Sequence, residues 1–451
     1  MNIKLVLVCA SILPLLAELQ VGRSQVNITP PVGVPMAGYY SIRLSEGTHD
    51  DLHATSIALD VDGQRAILIS CDLIAADPTF AGAARQEASR LTGVPVNRIM
   101  LSATHSHTGP LFNPRMLAAA EEPARKLAEK YVKELPKLIA ESARLAVADL
   151  QPARASDAIG AETSLSFNRR FLMKDGTVRF NPGKGNPEIV RPVGPIDPDL
   201  PVVYFESLLG APLATYVNFA LHLDTVGSAK YSADYPYTLA KTLGAVKGPK
   251  MVTLFTIGAA GNINHLDVGT KKTQRGDEEA ARIGMVLAGE VLKTYTRLNP
   301  TSAKTLSAAS TKVSLPSPEI SDLNRAQAAA GSFGTKTQAP FLEVVDAFKV
   351  LDTAARQGPL EVEVQIIALG DQVAWVAIPG EFFVELGMSI KRSSPFRTTI
   401  IVEQANGAIS YIPDRKAFAE GAYEAISARC APGCGEIFVE TAIRMLGTLR
   451  R

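Results

Sequence analysis

Leu101-Ser102-Ala103-Thr104-His105-Ser106-His107-Thr108-Gly109-Pro110 is the stretch from which the rest of the chain can be read. It begins at the end of an apolar segment, 98–102, that has the length and composition of a short strand. Two histidines one residue apart follow, and a Gly-Pro pair stops the segment. On an extended chain side chains alternate, so His105 and His107 would point to the same side. Two imidazoles placed that way can reach one ion, and imidazole suits zinc. A bare His-x-His is equally what a pair of surface histidines looks like. Its place at a strand end opening into a loop is where α/β proteins put their sites.

Working outward, strand-like segments recur at 26–31, 54–61, 65–70, 200–205, 214–219, 251–257, 303–314, 361–369, 373–377 and 398–402. Asp62-Gly63 between the second and third of these is a hairpin turn. Helical patterns separate the strands at 80–91, 117–148 with an interruption near Pro136, 278–295 and the alanine-rich 316–357, and another starts at Glu381 and runs to 391. This interleaving predicts an α/β fold, mixed β-sheets flanked by helices, in a single compact catalytic domain over 25–451.

Composition narrows the function classes. The 451 residues are 46% hydrophobic but only 6% aromatic, enough for a large core built from aliphatic side chains. A net charge of +1, with no basic cluster, excludes a nucleic-acid footprint. Lys4 precedes the apolar run 5–16, which is short for a bilayer span and matches the central region of a secretory leader. The expectation is a signal peptide over 1–24, cleaved between Ala17 and Gln25, and a secreted or periplasmic protein without a transmembrane span. A buried N-terminal strand or a retained anchor is the competing reading. Cys430 and Cys434 bracket Ala-Pro-Gly and can close a small disulfide loop in an oxidising compartment.

Three more segments carry chemistry. His222 follows the apolar strand 214–219, as a third metal ligand or as a hydrogen-bonded structural histidine. The loop Gly258-Ala259-Ala260-Gly261-Asn262-Ile263-Asn264-His265 is rich in small residues, which suits close approach of backbone N–H groups to a ligand or simply a tight turn. Glu381, after the strand 373–377, is a carboxylate ligand or a solvated helix-start residue.

As an ordered set these motifs resemble the N-terminal catalytic domain of the neutral/alkaline, non-lysosomal ceramidases. The resemblance rests on Ile28-Thr29-Pro30-Pro31 with Met36-Ala37-Gly38-Tyr39, on Gly47-Thr48-His49-Asp50-Asp51-Leu52-His53-Ala54, and on Ser70-Cys71-Asp72-Leu73. It continues through Thr104–Pro110, Phe167-Asn168-Arg169-Arg170, Gly258–Asn262 and Pro379-Gly380-Glu381-Phe382. It spans roughly 25–430. It implies one Zn2+ held by His105, His222, Glu381 and Tyr411, with Tyr423 the alternative tyrosine. His107 and Tyr411 would be catalytic, and Asn264, His265 and Arg169 would contact substrate. The implied reaction is hydrolysis of an amide of an N-acylated, ceramide-like lipid by metal-activated water. Arg169-Arg170 also reads as a solvated surface pair, and Asp72 as either a partner of a zinc histidine or a loop cap.

Two departures from the family pattern bear on the substrate. Longer members carry Gly-Asp-x-Ser-Pro where this chain has Gly261-Asn262-Ile263-Asn264-His265, so the serine is absent. The chain also ends soon after the similar region, which predicts no C-terminal immunoglobulin-like domain. A hydrophobic amide other than ceramide, or an ester, is therefore the alternative substrate, and an exported non-catalytic binding protein is the non-enzymatic alternative. Amidohydrolase barrels place His-x-His near the start of the mature chain, and metallo-β-lactamases follow it with Asp-His; neither pattern is present. Peripheral membrane contact and oligomeric state are left open.

Overall fold

The turn at Asp62-Gly63 has positive φ at both residues, 51° and 79°, the conformation a tight two-residue hairpin requires. It joins His53–Val61 to Gln64–Cys71 in unbroken register from Val61↔Gln64 to Ala54↔Cys71. The computed structural model describes residues 19–356 and 358–450, and this hairpin lies inside its larger sheet. That sheet has nine strands. Eight run in the spatial order Val252–Ile257, Pro212–Phe219, Asp199–Ser207, Gln151–Ala161, Leu19–Asn27, His53–Val61, Gln64–Cys71 and Ile99–Ala103, while Asn299–Thr301 pairs with Gln151–Ala161 off this path. The centre is antiparallel, but the pair at each end is parallel.

A second sheet orders Leu306–Leu315, Leu360–Leu369, Val373–Ala377 and Thr398–Val402, and its last pair is parallel too. The two sheets share one apolar core, in which Leu19, Ile57, Leu68 and Tyr216 meet Ile367, Trp375 and Ile400. Helices cover the outer faces. Ala81–Thr92 and Glu122–Ala148 pack on one half of the large sheet, and Tyr235–Lys247 and Asp277–Thr294 on the other. Val384–Ser393 and Cys434–Leu449 lie on the small sheet. The expected α/β architecture of mixed sheets flanked by helices is present.

Several local expectations change. The first strand is Leu19–Asn27, not 26–31; Leu19 and Val21 are buried in the shared core and the strand pairs along its length with His53–Val61. Residues 1–18, the greater part of the expected leader, lie outside the described residues. Residues 19–24, the remainder of that segment, belong to the sheet. Pro136 does not interrupt its helix, which runs through it from Glu122 to Ala148. Proline costs one backbone hydrogen bond, and here Leu135, Ile139 and Ala143, buried on the core face, hold the helix together. The stretch 316–357 forms two helices, Leu323–Gly331 and Phe341–Ala355. Glu381 opens no helix: Glu381–Phe382 is a short strand and the helix begins at Val384. Cys430 and Cys434 are bonded, and Cys71 is free and buried.

Among the described residues no helix is long and apolar enough to cross a membrane. What the topology does for function is bring strand ends together. Each parallel pair delivers its C-terminal ends to one region, where α/β folds place ligands.

Candidate active site

His105 leaves the strand Ile99–Ala103 at a sharp turn, with φ +72°. Its N–H and that of Ser106 both donate to the Leu73 carbonyl, at 2.9 and 3.1 Å. The His107 N–H donates to the Leu223 carbonyl at 3.0 Å, which ties this loop to the one carrying His222. The two rings of His-x-His therefore converge through a left-handed turn and not through strand alternation.

Four groups face one another there. His105 Nε2 lies 3.1 Å from His222 Nε2 and 3.2 Å from His107 Nε2. Glu381 Oε2 lies 3.5 Å from His105 Nε2 and 3.2 Å from His222 Nε2. The other ring nitrogens are committed elsewhere: His105 Nδ1 donates to the Ile74 carbonyl at 2.7 Å and His222 Nδ1 to the Ala260 carbonyl at 3.0 Å. A carbonyl only accepts, so both Nδ1 atoms carry the proton and both Nε2 lone pairs point at each other. Burial first, and then the Arg169 and His105 charges, hold the His222 imidazole down to about 3. Burial, with His105 and His222 beside it, holds His107 well below the usual histidine range. For Glu381 burial pushes upward, but the adjacent His105 and His222 outweigh it and the carboxyl sits well below its ordinary range.

Facing lone pairs and a carboxylate are repulsive unless a cation sits between them. Tetrahedral zinc with bonds of about 2.0–2.1 Å spaces its ligand atoms roughly 3.3 Å apart, the spacing found here. His105, His107 and His222 form the group among the described residues that could hold a metal ion. Glu381 adds an oxygen that has no hydrogen-bond partner although it is buried. The residues fit a metal.

Tyr411 sits against Glu381 because Glu381–Phe382 and Tyr411–Ile412 form a short parallel ladder in which Glu381 and Tyr411 are register partners. The Arg169 guanidinium lies over the Tyr411 ring, 5.3 Å from its centroid. Burial pushes Tyr411 well up, with Arg169 opposing. Tyr423, the alternative, stacks edge-on against Tyr411 with ring centroids 5.2 Å apart, and it also lines the cavity. Arg169 is no surface residue. It is buried, donating to Glu424 Oε1 at 2.9 Å and to the Gly261 carbonyl at 2.8 Å, with Nη1 3.3 Å from His222 Nε2. Arg170 is buried on the same carboxylate, Glu424 Oε2, at 2.9 Å. The solvated-pair reading fails because a fully buried glutamate serves both guanidiniums.

His107 is backed by Tyr39 and Asp224. Its Nδ1 is buried without a partner, 3.8 Å from Asp224 Oδ1, and Tyr39 donates its hydroxyl to that same oxygen. Gly38 makes this possible: its φ is +100°, and a Cβ there would lie 2.6 Å from the His107 Cβ.

Asn264 and His265 are not brought to this group. Asn264 donates to Asn181 Oδ1 at 2.8 Å, and His265 Nε2 donates to the Gln274 carbonyl at 2.8 Å. The small-residue loop before them approaches backbone and not ligand: a Cβ on Gly261 would lie 2.4 Å from the Glu381 carbonyl oxygen. Asp72 is the loop cap of its two readings, accepting the His53 N–H at 2.9 Å. Sequence reasoning missed Glu403, Gln404 and Glu424. The first two follow the apolar strand Thr398–Val402, so the strand-end rule that singled out His222 and Glu381 would have found them.

His105, His107, Glu381 and Tyr411 lie on the wall of a cavity of about 390 Å³. Its wall is mixed: Ile74, Leu111, Phe112, Met116, Leu360 and Ile409 are apolar, while Asp77, Asp352, Arg356 and Arg429 are charged.

No family model matches the chain, and no curated protein matches it. Solved structures do. One described as neutral ceramidase from Pseudomonas aeruginosa superposes with a TM-score of 0.75 at 20% identity, covering 96% of this chain and 75% of that one. Another, described as ceramidase complexed with C2, gives 0.74 at 19% identity over the same shares. The fold of this chain is that of the neutral ceramidases.

Proposed function

We propose that this chain is a metal-dependent hydrolase of the neutral ceramidase type, cleaving the amide bond of an N-acylated lipid. The observation that carries the reading is the convergence of two Nε2 lone pairs, His107 and the Glu381 carboxylate beside a cavity with a partly apolar wall. His105, His222 and Glu381 would hold zinc, with Tyr411 beside them, and zinc bound there would supply a Lewis acid and a water of lowered pKa.

The protein's own groups supply the rest. The apolar wall takes the acyl chain and excludes water from the amide. The Tyr411 hydroxyl, polarised by Arg169, donates to the amide oxygen as it gains negative charge. Burial favours the uncharged His107 ring, and from its place beside the metal group it would pass a proton to the departing amine nitrogen. The leader-like run 5–16 supports export to a secreted or periplasmic location.

The charged part of the cavity wall favours a second reading of the substrate. Asp352, Arg356 and Arg429 would suit an amide whose far end is polar or ionised, in place of a plain ceramide. The test of both is metal analysis of purified protein together with hydrolysis of a fluorescent N-acyl-sphingosine. About one zinc per chain with chelator-sensitive turnover supports the ceramidase reading. Zinc without turnover moves the substrate to another amide, and absence of zinc sinks the ligand set.

A further inference from the structure

The four-residue segment after the strand Thr398–Val402 touches three of the segments around the metal group. The Glu403 N–H donates to the Ile257 carbonyl at 3.3 Å, and the Gln404 N–H to the Gly380 carbonyl at 3.3 Å. The Gln404 carbonyl accepts the Ala103 N–H at 3.1 Å, and the Asn406 N–H donates to the Leu101 carbonyl at 2.7 Å. Gln404 and Asn406 hold φ of +53° and +61° to do so. The backbone here is therefore stitched to the strand ends that precede His105, Glu381 and the Ala260 loop.

The side chain of Glu403 goes further. It is fully buried. One of its oxygens, Oε2, accepts the Ala260 N–H at 3.1 Å and the Phe382 N–H at 2.9 Å. Ala260 is the residue whose carbonyl fixes the His222 tautomer, and Phe382 directly follows Glu381. A single oxygen thus joins the backbone behind one ligand to the backbone behind another. Gly261 lets these two backbones touch, donating its N–H to the Phe382 carbonyl at 2.9 Å. Gln404 packs beside His105, its side-chain amide 3.4 Å from Nδ1. Glu403 touches no ring nitrogen and does not line the active-site cavity, so it is no catalytic residue.

We propose that Glu403 is a positioning residue. By clamping the Ala260 and Phe382 amides to one oxygen, it sets the spacing of His222 and Glu381 and so the affinity of the site for its metal. Groups that orient metal ligands from behind typically change affinity by about 10–100-fold when removed. The functional consequence rests on the metal reading above; the clamp itself does not.

Three variants test it. Glu403→Leu keeps the volume and removes the acceptor. Glu403→Asp retracts the acceptor by one methylene and serves if the leucine variant does not fold. Glu403→Gln keeps an oxygen in place and is the rescue. Two readouts are needed: zinc affinity by competition with a chelator, with the Co2+-loaded visible spectrum as a report of ligand geometry, and amide hydrogen exchange at Ala260 and Phe382 in the metal-free chain. The expected result for Glu403→Leu or Glu403→Asp is roughly 10–100-fold weaker zinc binding, an altered cobalt spectrum, and faster exchange at those two amides while the central sheet stays protected. Glu403→Gln should resemble the unsubstituted chain in all three. Folded leucine and aspartate variants with unchanged exchange, or with unchanged zinc affinity, overturn the proposal. An unsubstituted chain that binds no zinc overturns the metal reading instead, and exchange then decides the clamp alone.

Discussion

Glu381 and Tyr411 are register partners in a two-residue parallel ladder, and both line the active-site cavity. Tyr411→Phe removes the hydroxyl and leaves the ring that stacks on Tyr423. The kcat should fall about 100-fold, the order seen when one oxyanion donor is lost, while zinc is still bound. Steady-state kinetics with metal analysis checks this; unchanged kcat would remove Tyr411 from the chemistry.

His222→Ala should abolish zinc binding and turnover together. His222 supplies one facing lone pair, and its loss also leaves the Arg169 Nη1 without a neighbour at 3.3 Å. Full activity in this variant would contradict the ligand set.

Gly38→Ala tests how the His107 ring is held. The new Cβ would meet the His107 Cβ at 2.6 Å, at a φ of +100°. A side chain forced into this conformation costs on the order of 1–2 kcal/mol before the clash is counted. The expected outcome is a lower melting temperature and reduced kcat with zinc content retained. A variant of unchanged kcat would show that His107 tolerates displacement.

Asp72 predicts a pH effect on stability. Burial holds its carboxyl up to about 7 in the folded chain, from an ordinary value of 3.8. Between those values the folded state keeps a proton that the unfolded state has released. The contribution is therefore fully present below pH of about 4 and is lost as pH rises through about 7. Asp72→Asn keeps an oxygen for the His53 N–H and should flatten this part of the curve. Urea unfolding of both proteins from pH 4 to 8 measures it; parallel curves would refute the assignment.

Any processing of the leader should stop before Leu19. The strand Leu19–Asn27 pairs with His53–Val61 over its whole length and with Gln151–Ala161 through Gln20 and Val21, at the middle of the large sheet. A chain starting at Leu19 should fold, whereas one starting at Val26 should lose cooperative unfolding. Terminal sequencing of exported protein and thermal melts of the two truncations test this.

Most elements were legible because their signals are local. The hairpin at Asp62-Gly63, the apolar strands before His105, His222 and Glu381, and the helix through Asp277–Thr294 each carry their own periodicity or turn chemistry. The first strand was not, since Leu19–Asn27 follows directly on an apolar run that reads as a leader. Pro136 was misread because a helix packed along its length survives the loss of one hydrogen bond.

For the site, residue types in apolar-strand context were enough to nominate His105, His107, His222 and Glu381, while Tyr411 was implied only by the resemblance to the ceramidases. Chain order could not say that Arg169 is buried on Glu424, that Asn264 and His265 turn away into their own loop, or that Glu403 joins the Ala260 and Phe382 amides. Except for His265, which bonds to Gln274 nearby, each of those depends on a partner distant in the sequence, and neither residue of such a pair carries any local mark of the other. Local pattern specifies which strand ends bear chemistry; only the packing of the parallel strand pairs decides which of those ends meet.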